Sequence, residues 1–312
     1  MNLSAELDRW MDPDTHRLLQ RIASEAAERD SRVFLVGGPV RDLILGRSCL
    51  DMDVVVQGDA PSIAAAVAAP GEPAPVVHPE FGTATLLSGA ARIDLVTARA
   101  ESYERPGALP AVRPGDIKQD LARRDFTLNA MALELGAGRR GDVLDPHGGR
   151  DDLAHGLVRV LHGRSFQDDA TRMLRGVRYE QRFGFVFEPR TLDLLLRDRS
   201  YLDTISGDRL RHEFERTFEE DEPEGALQRL DALRLLDSTC PGLCFGVEQA
   251  SAMALARRER LTPSQRRSVC WCVLAWGLDT SGIESLRARL NLRRSVADDI
   301  ADTVALTQLE PL

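Results

Sequence analysis

The stretch Phe34-Leu35-Val36-Gly37-Gly38-Pro39-Val40-Arg41-Asp42-Leu43-Ile44-Leu45-Gly46, followed shortly by Asp51-Met52-Asp53-Val54-Val55-Val56, decides how this chain is read. A short apolar run ends at paired glycines, a helical pattern follows, and a second apolar run opens on two aspartates spaced i, i+2. Alternate residues of a strand point to the same face, so Asp51 and Asp53 are expected side by side, close to a glycine turn with open backbone N–H groups. Two hard oxygen ligands suit Mg²⁺, which takes one or two carboxylates and leaves its other positions to phosphates and water. A glycine turn feeding a helix N-terminus accommodates anionic oxygens. Alone, paired glycines are usually a turn and Asp-x-Asp usually a solvated strand edge. In this order and at this distance, they point to nucleotidyl transfer.

Working outward, Val76–His78, Thr83–Leu87 and Arg92–Thr97 alternate as strands, and the last carries Ile93-Asp94-Leu95. A lone acid within a strand is commonly solvent-facing; beside Asp51 and Asp53 it would complete a three-carboxylate cluster for two metals about 4 Å apart. Leu3–Asp30 reads as one amphipathic helix, Arg32–Val36 as a strand, Val40–Leu45 as a short helix and Pro61–Ala69 as a helix packed on the sheet. Arg99–Asp116 lacks periodicity and reads as a long loop, a kind of segment that is usually functional or disordered.

Asp120–Leu133 contains Arg123-Arg124-Asp125-Phe126-Thr127-Leu128-Asn129-Ala130. An arginine offers a planar fork for phosphate oxygens, and Asp125 and Asn129, four apart on a helical turn, are placed to orient it and a ribose. Asp145-Pro146-His147-Gly148-Gly149 is a turn opening a helix, with His147 structural. Further on, Asp168-Asp169-Ala170-Thr171-Arg172 precedes Leu174-Arg175-Gly176-Val177-Arg178. Met173, Leu174, Val177 and Phe183 form an apolar core stripe. Asp169, Arg172, Arg175 and Arg178 recur every three residues, a row that drifts around a 3.6-residue helix. Asp169 and Arg172 are neighbours suited to a base edge, one accepting from an amino group and the other donating to ring nitrogen or carbonyl. Arg175 and Arg178 turn progressively away, toward phosphates. Ion pairing along a solvated helix is the commoner explanation for such a pattern.

Taken together these segments resemble the signatures of the nucleotidyltransferase superfamily that contains class II CCA-adding enzymes and bacterial poly(A) polymerases. The likeness is clear over residues 33–187 and thin beyond. It implies that Gly38, Arg41 and Asp42 hold the nucleotide, that Asp51 and Asp53 bind catalytic metal with Asp94 as a third acid, and that Arg124 contacts the triphosphate. It also implies that Asp169 and Arg172 read ATP or CTP by Watson–Crick-like hydrogen bonds, so that protein replaces a template. Asp168 stands where the family commonly has Glu, and Pro39 where it often has a small residue. In such proteins the Arg99–Asp116 segment lies near the active site.

Composition agrees with this reading without compelling it. The 312 residues, 43% apolar and 29% charged, suffice for about two domains. A net charge of −9 argues against indiscriminate nucleic-acid binding. It leaves room for local basic spots among the late arginines. No apolar run approaches the roughly 20 residues of a membrane span, and Met1–Asp30 lacks a signal-peptide pattern. Five cysteines fit reduced cytosolic thiols better than a zinc site.

The expected fold is therefore α+β: a nucleotidyltransferase head with a mixed sheet flanked by helices (residues 1–145), a helical neck for nucleotide selection (146–200) and a helical, RNA-binding body (201–312). A tRNA-binding tail is expected to be lacking, the chain being shorter than many relatives. The expected activity is template-independent addition of C and/or A from CTP or ATP to a tRNA 3′ end, with Mg²⁺ as cofactor, in the cytoplasm. Three other readings are open: a poly(A) polymerase with the same motifs, a transferase modifying a small hydroxylated molecule, and an inactive RNA-binding module.

Overall fold

The computed structural model describes residues 1–68, 72–89 and 91–309. The chain divides into two compact units, Met1–Ser102 with Pro110–His155 and Arg159–Leu161, and Tyr103–Leu109 with Gly156–Val158 and everything from His162 onward.

The first unit opens with helices α1 (Ser4–Trp10) and α2 (Pro13–Glu28). Amphipathic spacing alone predicts one continuous helix here. Asp12 ends that continuity: its side chain accepts from the N–H groups of Asp14 and Thr15, and Pro13 takes the first helical position, an arrangement that starts a helix. Next come β1 (Arg32–Val36), α3 (Gly38–Ile44), β2 (Asp51–Gln57), α4 (Ala60–Ala66), β3 (Val76–His78), β4 (Thr83–Ser88) and β5 (Ala91–Thr97). The helix expected over Pro61–Ala69 ends at Ala66, and Ala69 lies outside the described residues. Strands β6 (Arg99–Ser102) and β7 (Ala111–Pro114) then pair antiparallel, so the segment expected to be a structureless loop is a hairpin. The unit closes with α5 (Ile117–Ala122), β8 (Ala132–Glu134), β9 (Val143–Leu144) and α6 (Gly149–His155).

Seven strands form one mixed sheet in the order β3-β4-β5-β2-β1-β8-β9. Strands β2 and β5 run parallel, and the other neighbours in this sheet are antiparallel. Val33, Phe34, Leu35 and Val36 are all buried, as a central strand covered on both faces requires. Helices α2 and α4 pack on the sheet, where Ile93 and Leu95 are fully enclosed. On the face bearing Asp51 and Asp53, Val55 joins Phe34, Val36, Ile117 and Leu121 in an apolar cluster. Helix α5 thus roofs one end of that face.

In the second unit β10 (Leu157–Val158) pairs parallel with β11 (Val186–Phe187) around α7 (Ser165–Asp168) and α8 (Thr171–Phe183). The rest is helical: α9 (Pro189–Asp198), α10 (Gly207–Phe218), α11 (Pro223–Ala232), α12 (Leu235–Thr239), α13 (Val247–Ala256), α14 (Pro263–Ala275), α15 (Thr280–Leu290) and α16 (Arg294–Leu309). Buried Trp271 meets Phe218 edge-on at 4.9 Å and Phe214 at 5.7 Å, geometries that aromatic rings favour. The mixed sheet and the helical remainder make the chain α+β. Among the described residues no helix is long and apolar enough to cross a membrane.

Candidate active site

The parallel pairing of β2 with β5 sets Asp51 beside Arg92 and Asp53 beside Asp94. Since side chains alternate along a strand, Asp51, Asp53, Arg92 and Asp94 share one face. Asp94 accepts from the Thr85 hydroxyl at 2.6 Å and pairs with Arg92 Nε at 3.1 Å. Desolvation is the largest influence on the Asp53 carboxyl and raises its pKa; Arg124 opposes this, while Asp94, Asp51 and Asp120 add to it. The carboxylates share a face without closing on one point: among the described residues no three acidic, histidine or cysteine side chains are gathered as metal ligands would be.

Between β1 and α3 the chain turns at Gly37, whose φ of 71° and ψ of −124° belong to glycine. Its N–H donates to the Met131 carbonyl at 3.0 Å. A Cβ at Gly37 would lie 2.5 Å from Arg124 Nη1, so the guanidinium rests against the bare backbone of the turn. Arg124 Nη2 donates to Asp120 Oδ2 at 3.0 Å, and Arg123 holds the other oxygen at 2.8 Å. Burial would push the Asp120 carboxyl up, but these guanidinium groups outweigh it and leave its pKa below the ordinary value.

The four-residue spacing of Asp125 and Asn129 predicts a helical turn on which both orient the arginine that meets phosphate. Helix α5 ends at Ala122, and Thr127–Asn129 is a 3₁₀ turn. There Asn129 accepts from Arg41 Nη1 at 2.7 Å and donates to Asp125 at 3.0 Å. Arg41 also forks onto Asp42 at 2.9 and 3.1 Å and is only 5% exposed. The guanidinium that Asn129 orients is therefore Arg41, which braces the turn from inside.

In the second unit, Asp169 lies ahead of α8 rather than on it, with extended backbone. Its Oδ1 accepts from the Thr171 N–H at 3.0 Å and hydroxyl at 2.6 Å, while Oδ2 pairs with Arg209 at 2.7 Å. Arg172 is buried and donates to the Ser165 hydroxyl at 2.7 Å. Arg175 donates to the Tyr179 hydroxyl at 3.0 Å. Arg178, also buried, pairs with Glu213 at 3.0 Å and Glu220 at 3.6 Å. Expected to face phosphates, Arg178 instead ties α8 to α10.

Several residues that shape these sites did not emerge from the sequence. Gly37, rather than Gly38, carries the strained turn. Asp120 had a signal in its i, i+4 spacing to Arg124. Thr85 and Arg92 become neighbours of Asp94 only through strand register, and Arg209 meets Asp169 across about 40 residues of chain, beyond the reach of spacing rules.

A mixed sheet presenting two aspartates from one strand and a third from its parallel neighbour, beside a glycine turn and a seated arginine, is a head of the nucleotidyltransferase class. Residues 33–159 match the poly A polymerase head domain. Residues 184–245 match the probable RNA and SrmB-binding site of polymerase A. An A-adding tRNA nucleotidyltransferase of Halalkalibacterium halodurans is 38% identical over 264 residues, 83% of this chain and 62% of that protein. A structure of a CCA-adding enzyme with ATP superimposes with a TM-score of 0.84 at 34% identity, over 99% of this chain and 75% of that one. The Thermotoga maritima CCA-adding enzyme complexed with tRNA gives 0.80 at 33%, over 99% and 75%. The chain belongs to the family of poly(A) polymerases and CCA-adding tRNA nucleotidyltransferases. It spans less than two thirds of the length of the halodurans relative.

Proposed function

We propose that this protein transfers nucleoside monophosphates, A and/or C, from ATP or CTP to the 3′ hydroxyl of tRNA without a nucleic-acid template, releasing pyrophosphate. The observation that carries this reading is the shared face of Asp51, Asp53 and Asp94 within the electrostatic reach of Arg124. The names of the relatives support it: an A-adding protein, and CCA-adding enzymes in complex with ATP and with tRNA. We place the activity in the cytoplasm, where the five free thiols would stay reduced.

The donor set fits Mg²⁺: hard carboxylate oxygens on one face, one of them with a pKa raised by desolvation and like charge. Asp51 and Asp53 would hold the ion, with Asp94 joining them. When bound, such an ion lowers the pKa of an attacking hydroxyl and stabilises charge on the leaving oxygens. Arg124, fixed by Asp120, binds the triphosphate through its planar fork. Gly37 and Gly38 allow backbone and guanidinium to approach it. Arg41, Asp42, Asp125 and Asn129 hold the turn in shape, supplying the positioning on which phosphoryl transfer mostly depends. Asp169 and Arg172 select the base, Asp169 being fixed by Thr171 and Arg209. Arg175 borders this pair, and Arg178 belongs to the framework. We retain a head over residues 1–145, a neck over 146–200 and a body over 201–312, the first residues of that neck, through His155, being part of the first compact unit.

The test is incorporation of each labelled triphosphate into tRNAs ending before the first C, after CC, and after CCA. Addition of A to the CC end, C to the shorter end, or both, supports the proposal and fixes its product. Long A tails on arbitrary RNA would reassign the protein as a poly(A) polymerase. No divalent-dependent incorporation into any RNA would overturn the enzymatic reading.

A further inference from the structure

Arg92 stands directly beside Asp51 in register and two residues before Asp94 on the acidic face. Its Nε lies 3.1 Å from each carboxylate oxygen of Asp94, while Thr85, opposite Asp94 on β4, donates to Oδ1 at 2.6 Å. Both oxygens of the third acid are thus engaged. The three acids share a face, yet among the described residues they do not gather as a metal-ligand set. The pair is also open to water, with 55% of the Arg92 side chain and 33% of the Asp94 side chain exposed. Ion pairs of that exposure are weak and readily exchanged.

We propose that Arg92 is a resident monovalent cation of the carboxylate face: it engages both oxygens of Asp94 in an ion pair until a divalent ion displaces it. The inference rests on reading those acids as metal ligands. With no divalent ion, three carboxylates on one face repel one another, and a guanidinium beside two of them relieves part of that repulsion. A doubly charged ion that enters competes with Arg92 for the Asp94 oxygens, and its greater charge outweighs an exposed guanidinium's. The freed guanidinium, on a long and half-exposed side chain, swings into solvent or toward an incoming phosphate. Arg92 is therefore a positioning residue, acting through Asp94. It makes the empty site bind divalent ions less tightly than its acids alone would.

The test is Mn²⁺ binding to the full chain without nucleotide, followed by electron paramagnetic resonance of the free ion. Arg92→Gln is expected to tighten binding by about two- to fivefold, the range an exposed ion pair supplies. A control, Arg9→Gln, removes an exposed cation from α1 and should leave binding unmoved. In an Asp94→Asn background the Arg92→Gln gain should disappear, because the arginine acts through that carboxylate. Unchanged or weaker Mn²⁺ binding in Arg92→Gln, or a gain that persists in the Asp94→Asn background, would overturn the inference. Failure of the underlying reading looks different: Asp53→Asn would then bind Mn²⁺ as the parent does. Melting temperatures of all variants verify that each is folded.

Discussion

The turn at Gly37 offers the sharpest test of how backbone shape and phosphate binding are joined. Alanine there must adopt a φ near 71° with ψ near −124°, a region that costs a side-chain-bearing residue about 1–3 kcal/mol. For a unit of this size that corresponds to a loss of roughly 2–12 °C in melting temperature. The new Cβ would also stand 2.5 Å from Arg124 Nη1, so the guanidinium must leave its seat and strain or break its bond to Asp120. Displacing a charge-assisted donor is worth about 1.5–3 kcal/mol, or roughly ten- to a hundredfold in triphosphate affinity. Gly38→Ala is the matched comparison. Gly38 is helical, and its added Cβ would meet only Arg41 Nη2 at 3.6 Å, an ordinary contact. That variant should melt within about 1 kcal/mol of the parent and lose clearly less nucleotide affinity than Gly37→Ala. Differential scanning fluorimetry and titration with a fluorescent ATP analogue measure both quantities. Equal losses in the two alanine variants, or parental ATP affinity in Gly37→Ala, would refute the reasoning.

Three further outcomes are expected. An acid whose pKa is raised on folding, as at Asp53, weakens the folded state once pH exceeds the ordinary carboxylate range and does not when both states are protonated. Because Asp53 is open to solvent, metal-free Asp53→Asn should melt only slightly higher than the parent at pH 7, the gain shrinking as pH falls toward about 4 and absent below it, and it should lose divalent-dependent transfer. Asp169→Ala should blur the choice between ATP and CTP in single-addition assays, and unchanged selectivity would remove it from base reading. Arg178→Ala removes the 3.0 Å partner of buried Glu213 and leaves it the longer 3.8 Å pair with Arg175, so it should cost up to about 3 kcal/mol by denaturant unfolding, whereas Arg178→Met with Glu213→Leu should recover most of that loss.

The parts of the fold that sequence disclosed are those where periodicity and burial coincide. Residues 33–36 and 54–56 are apolar because both sheet faces are covered there, and the i, i+2 spacing of Asp51 and Asp53 puts them on one face. Three features escaped for identifiable reasons. Every residue of β8 is buried, so its apolar run cannot be told from a buried helix by period. Every residue of β7 is exposed, which removes the alternation that marks a strand. Across Met11-Asp12-Pro13 the amphipathic stripe continues from α1 into α2, hiding a break that the Asp-Pro pair could have revealed. The partners of the site residues were less legible still. Spacing located Asp94, but only parallel register sets it beside Asp53 and brings Arg92 and Thr85 to it; likewise Asn129 serves Arg41, far away in sequence.

That parallel join between β2 and β5 has a kinetic corollary. Its strands are separated in sequence by α4, β3 and β4, whereas β4 and β5 are near neighbours along the chain. Long-range parallel pairing is slower to form than local pairing, so Asp53 and Asp94 are expected to come together after β4 has paired with β5. A divalent ion that recognises the gathered acids can then act chiefly as a brake on unfolding rather than as an accelerator of folding.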